Sequence, residues 1–388
     1  MQRPATATRW TPRARGPLRW AVLVLALGGL TLAGALGAVA LTRAPRPTAS
    51  PVHGEKRLAH ASRFVDTLDV REFQRGSIHS HSAESDGDTP AAVVIQWYRS
   101  NGYDFLALTD HNVYFEPRQH RWAESPDFVL IPGEEISMSS GRNLVHVNAL
   151  CTSSRVGGGD FATKGAALRW AIDEIGARGG IALVNHPNWG WTLDAQDVAG
   201  ATGATLLEVF SGHPHTRSKG DETHPSAEEL WQSSLLQGRA FAPVAADDAH
   251  TYWRASSADG TSNGEPGTGW IGVFGSELSR WSVCDALARG RLYASSGAEL
   301  RRLRVRGDTM TIWVDDPEAL VEFFGSSSEH WLATLPEPAE PGRGFSASYR
   351  LRGGERFVRA RVTATGGTQA WTPAFLVAER RTTPTGGR

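Results

Sequence analysis

Phe105-Leu-Ala-Leu-Thr-Asp-His-Asn112 is an apolar run that stops abruptly at an acid and a histidine. Phe105–Thr109 has the length and composition of a buried strand, and its end carries residue types that bind cations or move protons. The same arrangement recurs along the chain. Val129–Ile131 leads into Gly133-Glu134-Glu135, Ile181–Val184 into Asn185-His186, and Ala242–Ala245 into Asp247-Asp248. His146 lies inside the run Val145–Ala149, and Leu206–Phe210 is a further strand candidate. Helical segments separate these runs. Thr89-Pro90 opens Ala91–Ser100 and Gly102 closes it; Ala166–Arg178, Ser226–Gln237 and Ser279–Arg289 each stop at glycine. Alternation of this kind predicts βα units around a parallel sheet or barrel, in which strand C-termini converge on one face and build one site.

Working back toward the N-terminus, His79-Ser80-His81 is followed by Asp86. Residues i and i+2 of a strand share a face, so both imidazoles can meet one ion. Farther on, Asp248-Ala249-His250 completes a set of candidate ligands: His79, His81, Asp86, His111, Glu135, His146, His186, Asp248 and His250. Any one of these segments alone reads equally well as a capped loop or a satisfied core histidine. Six of the thirteen histidines fall in them, however, which a scattered solvated set would not do. Imidazoles and carboxylates without thiolate suit Zn, Mn or Fe, and carboxylates can bridge two ions.

The bulk numbers narrow the class. A chain of 388 residues with net charge −1 and no basic block beyond its start lacks the footprint of a nucleic-acid binder. Cys151 and Cys284 are the only cysteines, which rules out a disulfide scaffold or a zinc ribbon; two free, buried thiols are expected, with one bridge as the alternative. Arg3, Arg9, Arg13, Arg15 and Arg19 precede the apolar run Trp20–Leu41, which spans about 20 residues, enough to cross a bilayer. Residues 1–19 therefore read as a basic flank and 20–41 as a transmembrane anchor, or as a cleaved signal ending near Ala38-Val39-Ala40. Residues 42–62 read as a linker, 63–297 as the body, and 298–388 as a small β-rich appendage and tail. The body leaves the cytoplasm on either reading, membrane-anchored or secreted.

In their order, HSH with a following Asp, TDHN, PGEE, VHV, NHP and DDAH resemble the polymerase and histidinol phosphatase (PHP) domain over residues 76–297. GWIGVF…ALARGRLYASSGAEL and AWTPAFLV look like its extracytoplasmic branch, which includes carbamate-ester hydrolases. The resemblance implies a distorted seven-stranded (β/α) barrel with two or three divalent metal ions. By the same resemblance His79, His81, Glu135 and Asp248 hold one ion, Glu135 with His146 and His186 another, and Asp86, His111 and His250 a third. Glu135 is favoured over Glu134 as the bridge. Asp110 is either an orienting partner of a ligand histidine or a loop cap. In the loop 211–225, His213, His215, Arg217 and Lys219 can contact an anionic substrate, or can be a solvated polar surface. Asn188, Trp189 and Trp191 can line the mouth of the pocket.

The expected function is hydrolysis of a small-molecule ester by a metal-bound hydroxide, with phosphoesters the first choice and carboxyl-ester, amide or carbamate substrates the alternative. A non-catalytic surface binding protein is the reading from a different class. Oligomeric state is not legible in the sequence.

Overall fold

The computed structural model describes residues 62–252, 264–339 and 344–379. The expected anchor or signal, Trp20–Leu41, and nearly all of the linker lie outside the described residues, and no helix among those described is long and apolar enough to cross a membrane.

The first strands, β1 (Ser62–Phe64) and β2 (Leu68–Val70), pair with the end of the chain: β1 with Phe375–Glu379 and β2 with Arg302–Arg306, both antiparallel. The repeating units then begin with β3 (Phe73–Ser77), α1 (Ala91–Ser100), β4 (Phe105–Leu106) and β5 (Val129–Leu130). A hairpin of β6 (Gly133–Ser140) and β7 (Asn143–Leu150) follows, then α2 (Lys164–Ala177), β8 (Ile181–Val184), α3 (Ala195–Gly200) and β9 (Leu206–Ser211). The body closes with α4 (Ala227–Leu236), β10 (Ala242–Ala246), β11 (Trp270–Phe274), α5 (Arg280–Ala288) and β12 (Leu292–Ser295).

Local chemistry explains the helices. α1 buries Ala91, Val94, Ile95 and Tyr98, one face at helical spacing. α4 starts in a capping box, with the Ser226 hydroxyl accepting from the Glu229 amide while the Glu229 carboxylate accepts from the Ser226 amide. α5 repeats the device with Ser279 and Ser282. Replacing such a cap by alanine costs about 1 kcal/mol.

The strands do not close into the single ring expected from the sequence. β8, β9 and β10 run parallel beside the antiparallel β6 and β7, in the order β10-β9-β8-β7-β6. β3, β4 and β5 form a second parallel group, extended antiparallel by β11 and β12. The two groups belong to separate sheets among the described residues. The reason is local: β4 and β5 contribute only two residues each, and Pro132, without an N–H, interrupts the chain between β5 and β6. At one end two isolated parallel bridges, Ser80 with Ala249 and His111 with Glu135, tie the halves together.

Between the sheets lies an apolar layer including Ile78, Phe105, Ile131, Leu183, Leu206, Val244 and Ile271. Each such side chain, fully buried, contributes about 1.5–3 kcal/mol. A second layer packs β6–β10 against α2, α3 and α4 through Val147, Leu168, Ile172, Val184, Leu207 and Trp231.

Within residues 298–388, expected to be β-rich, the described residues form strands from Arg302–Arg306 to Phe375–Glu379. This β-rich region is continuous with the body, because β12 pairs with Gln369–Trp371. It is also clasped to α4 by the buried Arg359, whose Nε donates to Gln232 (2.6 Å) and Nη1 to Glu228 (2.8 Å), with the guanidinium over Trp231. The expectation of free thiols is overturned: Cys151, just past β7, and Cys284, on α5, form a disulfide across 133 residues of chain. Both pack against the layer between the sheets, which brings them together although nothing in their spacing signals a pair.

Candidate metal centre

The end of β3 and the end of β10 zip together: the His81 amide donates to the Ala249 carbonyl (2.9 Å) and the Asp248 amide to that of His79 (3.2 Å). His79, His81, Asp248 and His250 are thereby placed side by side. Asp248 adopts φ +49, a left-handed conformation that costs an ordinary residue about 1–2 kcal/mol and that aspartate tolerates better than most. On the neighbouring side, the Asn112 amide donates to the Glu135 carbonyl (2.8 Å), which sets His111 beside Glu135. In the hairpin, Asn148 stands opposite Glu135 and His146 opposite Ser137, so all four face inward while Val145 and Val147 enter the core.

Glu135 is the centre of the cluster. Its Oε2 lies 3.3 Å from His79 Nε2, 3.2 Å from His81 Nε2 and 3.1 Å from His111 Nδ1. Its Oε1 lies 3.1 Å from His146 Nδ1 and 3.3 Å from His186 Nε2. Asp248 Oδ1 is 3.2 Å from both His79 Nε2 and His81 Nε2. Asp86 Oδ1 lies 3.5 Å from His81 Nδ1 and 3.4 Å from His250 Nε2, and its Oδ2 3.5 Å from His111 Nε2. All nine residues expected to be ligands meet in one place, and four overlapping groups among them have the spacing of a cation seat.

Among the described residues several of these atoms have no hydrogen-bond partner although they are buried: His79 Nε2, both ring nitrogens of His81, Glu135 Oε2 and His146 Nδ1. Buried polar atoms are nearly always paired, so a cluster of orphans needs a reason. Two ligands each about 2.1 Å from one ion are about 3.0 Å apart at a right angle and about 3.4 Å at the tetrahedral angle. The contacts around Glu135, Asp248 and Asp86 span 3.1–3.5 Å, the edge lengths of a coordination polyhedron. The residues fit divalent cations.

Three solved structures are similar to the chain at low identity. One is a two-domain protein from Bacteroides vulgatus containing a predicted PHP-like metal-dependent phosphoesterase (16% identity over 80% of this chain and 96% of that one, TM-score 0.41). Another is a provisionally assigned metal-dependent phosphoesterase from Bifidobacterium adolescentis (15% identity, 56% and 96% covered, TM-score 0.37). A third is an amidohydrolase from Chromobacterium violaceum with sulfate bound and no metal (14% identity, 59% and 97% covered, TM-score 0.36). No family model and no curated protein matches the sequence.

The surroundings separate the remaining candidates. Burial works against ionisation of Glu135 and Asp248, yet the imidazoles around them, His79 foremost, hold both carboxyls well below the usual range. Glu134 points away from the cluster and accepts the amides of Val156 (2.7 Å) and Gly157 (2.8 Å), which leaves Glu135 as the shared carboxylate. Asp110 bonds the Ser82 amide and hydroxyl (both 2.7 Å) and the Ser85 hydroxyl (2.8 Å): it caps the loop that carries Asp86 and touches no ligand imidazole. Asp247 accepts from Ser77, Tyr98 and the Gly267 amide, and its burial pushes its carboxyl up to about 6.

Of the loop residues, His213 comes closest, with its ring 5.2 Å from that of His250; burial pushes it down to about 4. His215 is exposed. Arg217 is exposed and holds its guanidinium over Trp191, while its carbonyl accepts from Asn188. Lys219 lines a separate cavity of about 400 Å³ with Phe210, Arg361 and Trp371, which none of the ligands lines. Trp189 stacks on His146.

Sequence reasoning missed two supports. Glu208 bonds His79 Nδ1 (2.5 Å) and the His186 amide (2.7 Å). Asn185 donates to Glu135 Oε1 (2.7 Å) and to Asn148 Oδ1 (2.8 Å). The signal for Glu208 was an acid inside the apolar run Leu206-Leu207-Glu208-Val209-Phe210, where a charge needs a buried partner.

Proposed function

We propose that this chain is a metal-dependent hydrolase acting on small-molecule phosphoesters. The observation that carries the reading is the set of buried, unpartnered nitrogens and oxygens converging on Glu135. His79, His81, Glu135 and Asp248 would hold one ion, Glu135 with His146 and His186 a second, and Asp86, His111 and His250 a third. Zn, Mn or Fe bound there would supply Lewis acidity and bring coordinated water toward neutral pKa. The protein's part is to fix these donors before substrate arrives: Glu135 offers one oxygen to each side, and Asn185 anchors its Oε1. Several cation seats in one pocket suit a substrate with several anionic oxygens. We infer that His213, beside His250, and Arg217, in the loop tied to the β8 end by Asn188, would meet those oxygens.

We read the two sheets as an opened, distorted seven-stranded (β/α) barrel with the ligands at its strand ends. The basic flank, the apolar run Trp20–Leu41 and the disulfide support an exported body held at the membrane by its N-terminal segment, since disulfides persist in oxidising compartments.

The test compares nitrophenyl phosphates with nitrophenyl carboxyl esters on metal-loaded protein, with His79→Ala as control. Turnover of phosphates that disappears in the control is the expected result. Preference for carboxyl esters would overturn the substrate class. Metal-bearing protein that cleaves neither would overturn the enzymatic reading.

A further inference from the structure

Glu208 lies on β9 and is fully buried. Its two oxygens serve two ligands that hang from different sheets: Oε1 accepts from His79 Nδ1 at 2.5 Å, past the end of β3, and Oε2 accepts from the His186 amide at 2.7 Å, past the end of β8. Among the described residues no continuous ladder closes those sheets into a ring; beside the bridges Ser80–Ala249 and His111–Glu135, this carboxylate adds a side-chain link at the level of the site. With Nδ1–H donating to Glu208, the His79 lone pair is fixed on Nε2, the atom that faces Glu135 and Asp248 and has no hydrogen-bond partner. His79, Glu135 and His186 form one of the four cation-seat groups, and Glu208 holds both of its histidines.

We propose that Glu208 is the positioning residue shared by the two seats to which His79 and His186 belong, setting the tautomer of the first imidazole and the placement of the second. The inference rests on the metal-dependent reading above and goes beyond it by making two cation seats depend on a residue that binds no ion. Its effect is selective: the seat of Asp86, His111 and His250 has no contact with Glu208. A carboxamide cannot replace the carboxylate, because its NH₂ would face one of two N–H donors.

The experiment measures metal stoichiometry and affinity of wild type, Glu208→Gln and Glu208→Asp, each stripped and reloaded with Zn, alongside circular dichroism. In ¹⁵N-histidine-labelled, metal-free protein it also follows the His79 ring nitrogens. Glu208→Gln is expected to weaken the two seats that contain His79 and His186 about 10- to 100-fold while an ion at Asp86, His111 and His250 binds as in wild type. His79 is expected to lose its single Nδ1–H tautomer, a change that loss of packing alone would not produce. If Glu208→Gln does not fold, Glu208→Asp carries the same test, since it keeps the charge but is too short to reach both donors. Wild-type affinity for every ion in the folded variant overturns the inference alone. A wild type that binds no metal overturns it together with the functional reading.

Discussion

His146 Nδ1 lies 3.1 Å from Glu135 Oε1 because the two residues sit diagonally on one face of the same hairpin. A single antiparallel turn thus supplies both the shared carboxylate and one of its ligands, while the opposite oxygen of Glu135 reaches His79, His81 and His111. Glu135→Gln keeps the shape and removes the charge. It is expected to lower metal content by more than one equivalent and kcat/KM by more than about 100-fold, beyond the range typical of residues that only support ligands. Elemental analysis with steady-state kinetics checks this; full metal content in the variant would contradict a bridging role.

Asp86 is the exposed member of the set, with 54% of its side chain accessible, against 1% for Glu135. An ion at the proposed seat of Asp86, His111 and His250 should therefore exchange first. Stopped-flow chelation is expected to show a fast phase and a slow one, with Asp86→Asn lacking only the fast phase. Loss of the slow phase in that variant would reverse the assignment.

Asp247 gives a pH signature. Burial raises its carboxyl from an ordinary 3.8 to about 6, so its contribution to stability is complete below pH 4 and is lost as pH rises through 6. The gap corresponds to roughly 3 kcal/mol. In urea unfolding of metal-stripped protein, wild type is expected to lose up to that amount relative to Asp247→Asn between pH 4 and pH 7. A constant difference across that range would show that the group stays ionised throughout.

The Cys151–Cys284 bridge closes a loop of 133 residues. Chain entropy alone assigns such a cross-link up to about 5 kcal/mol. The double serine variant is expected to unfold at markedly lower denaturant while its metal content when folded stays the same, because neither cysteine is among the ligands. Coincident unfolding curves with and without reductant would refute the bridge.

Ligands were legible in the sequence because strand ends concentrate them: His111, Glu135, His186 and Asp248 each follow a short apolar run, and the fold brings those ends together. Glu208 was harder to place because it sits inside a strand buried on both faces, where the acid signals a buried partner without saying which one. Asp110 and Glu134 show the limit of adjacency: each neighbours a ligand in sequence, yet backbone geometry turns their carboxylates to amides and hydroxyls of nearby loops. Ring closure failed as an expectation because strand length, set by where β4 and β5 give way to loops, is a property of three-dimensional packing more than of the local pattern. The pairing of β1 and β2 with the C-terminal strands joins residues more than 230 apart, a distance over which periodicity carries no signal.

That pairing has a consequence for engineering. Ser62 lies beside Glu379 in the register of β1 with Phe375–Glu379, so the described chain begins and finishes at neighbouring points on one sheet edge. A short peptide could splice those points, and new ends could be opened at the Gly141 turn or another exposed loop, giving a circular permutant that keeps every cation seat. The same adjacency means that force applied through the N-terminal segment would load a short strand in direct register with the last one, making this edge the place where the body would first come undone under tension.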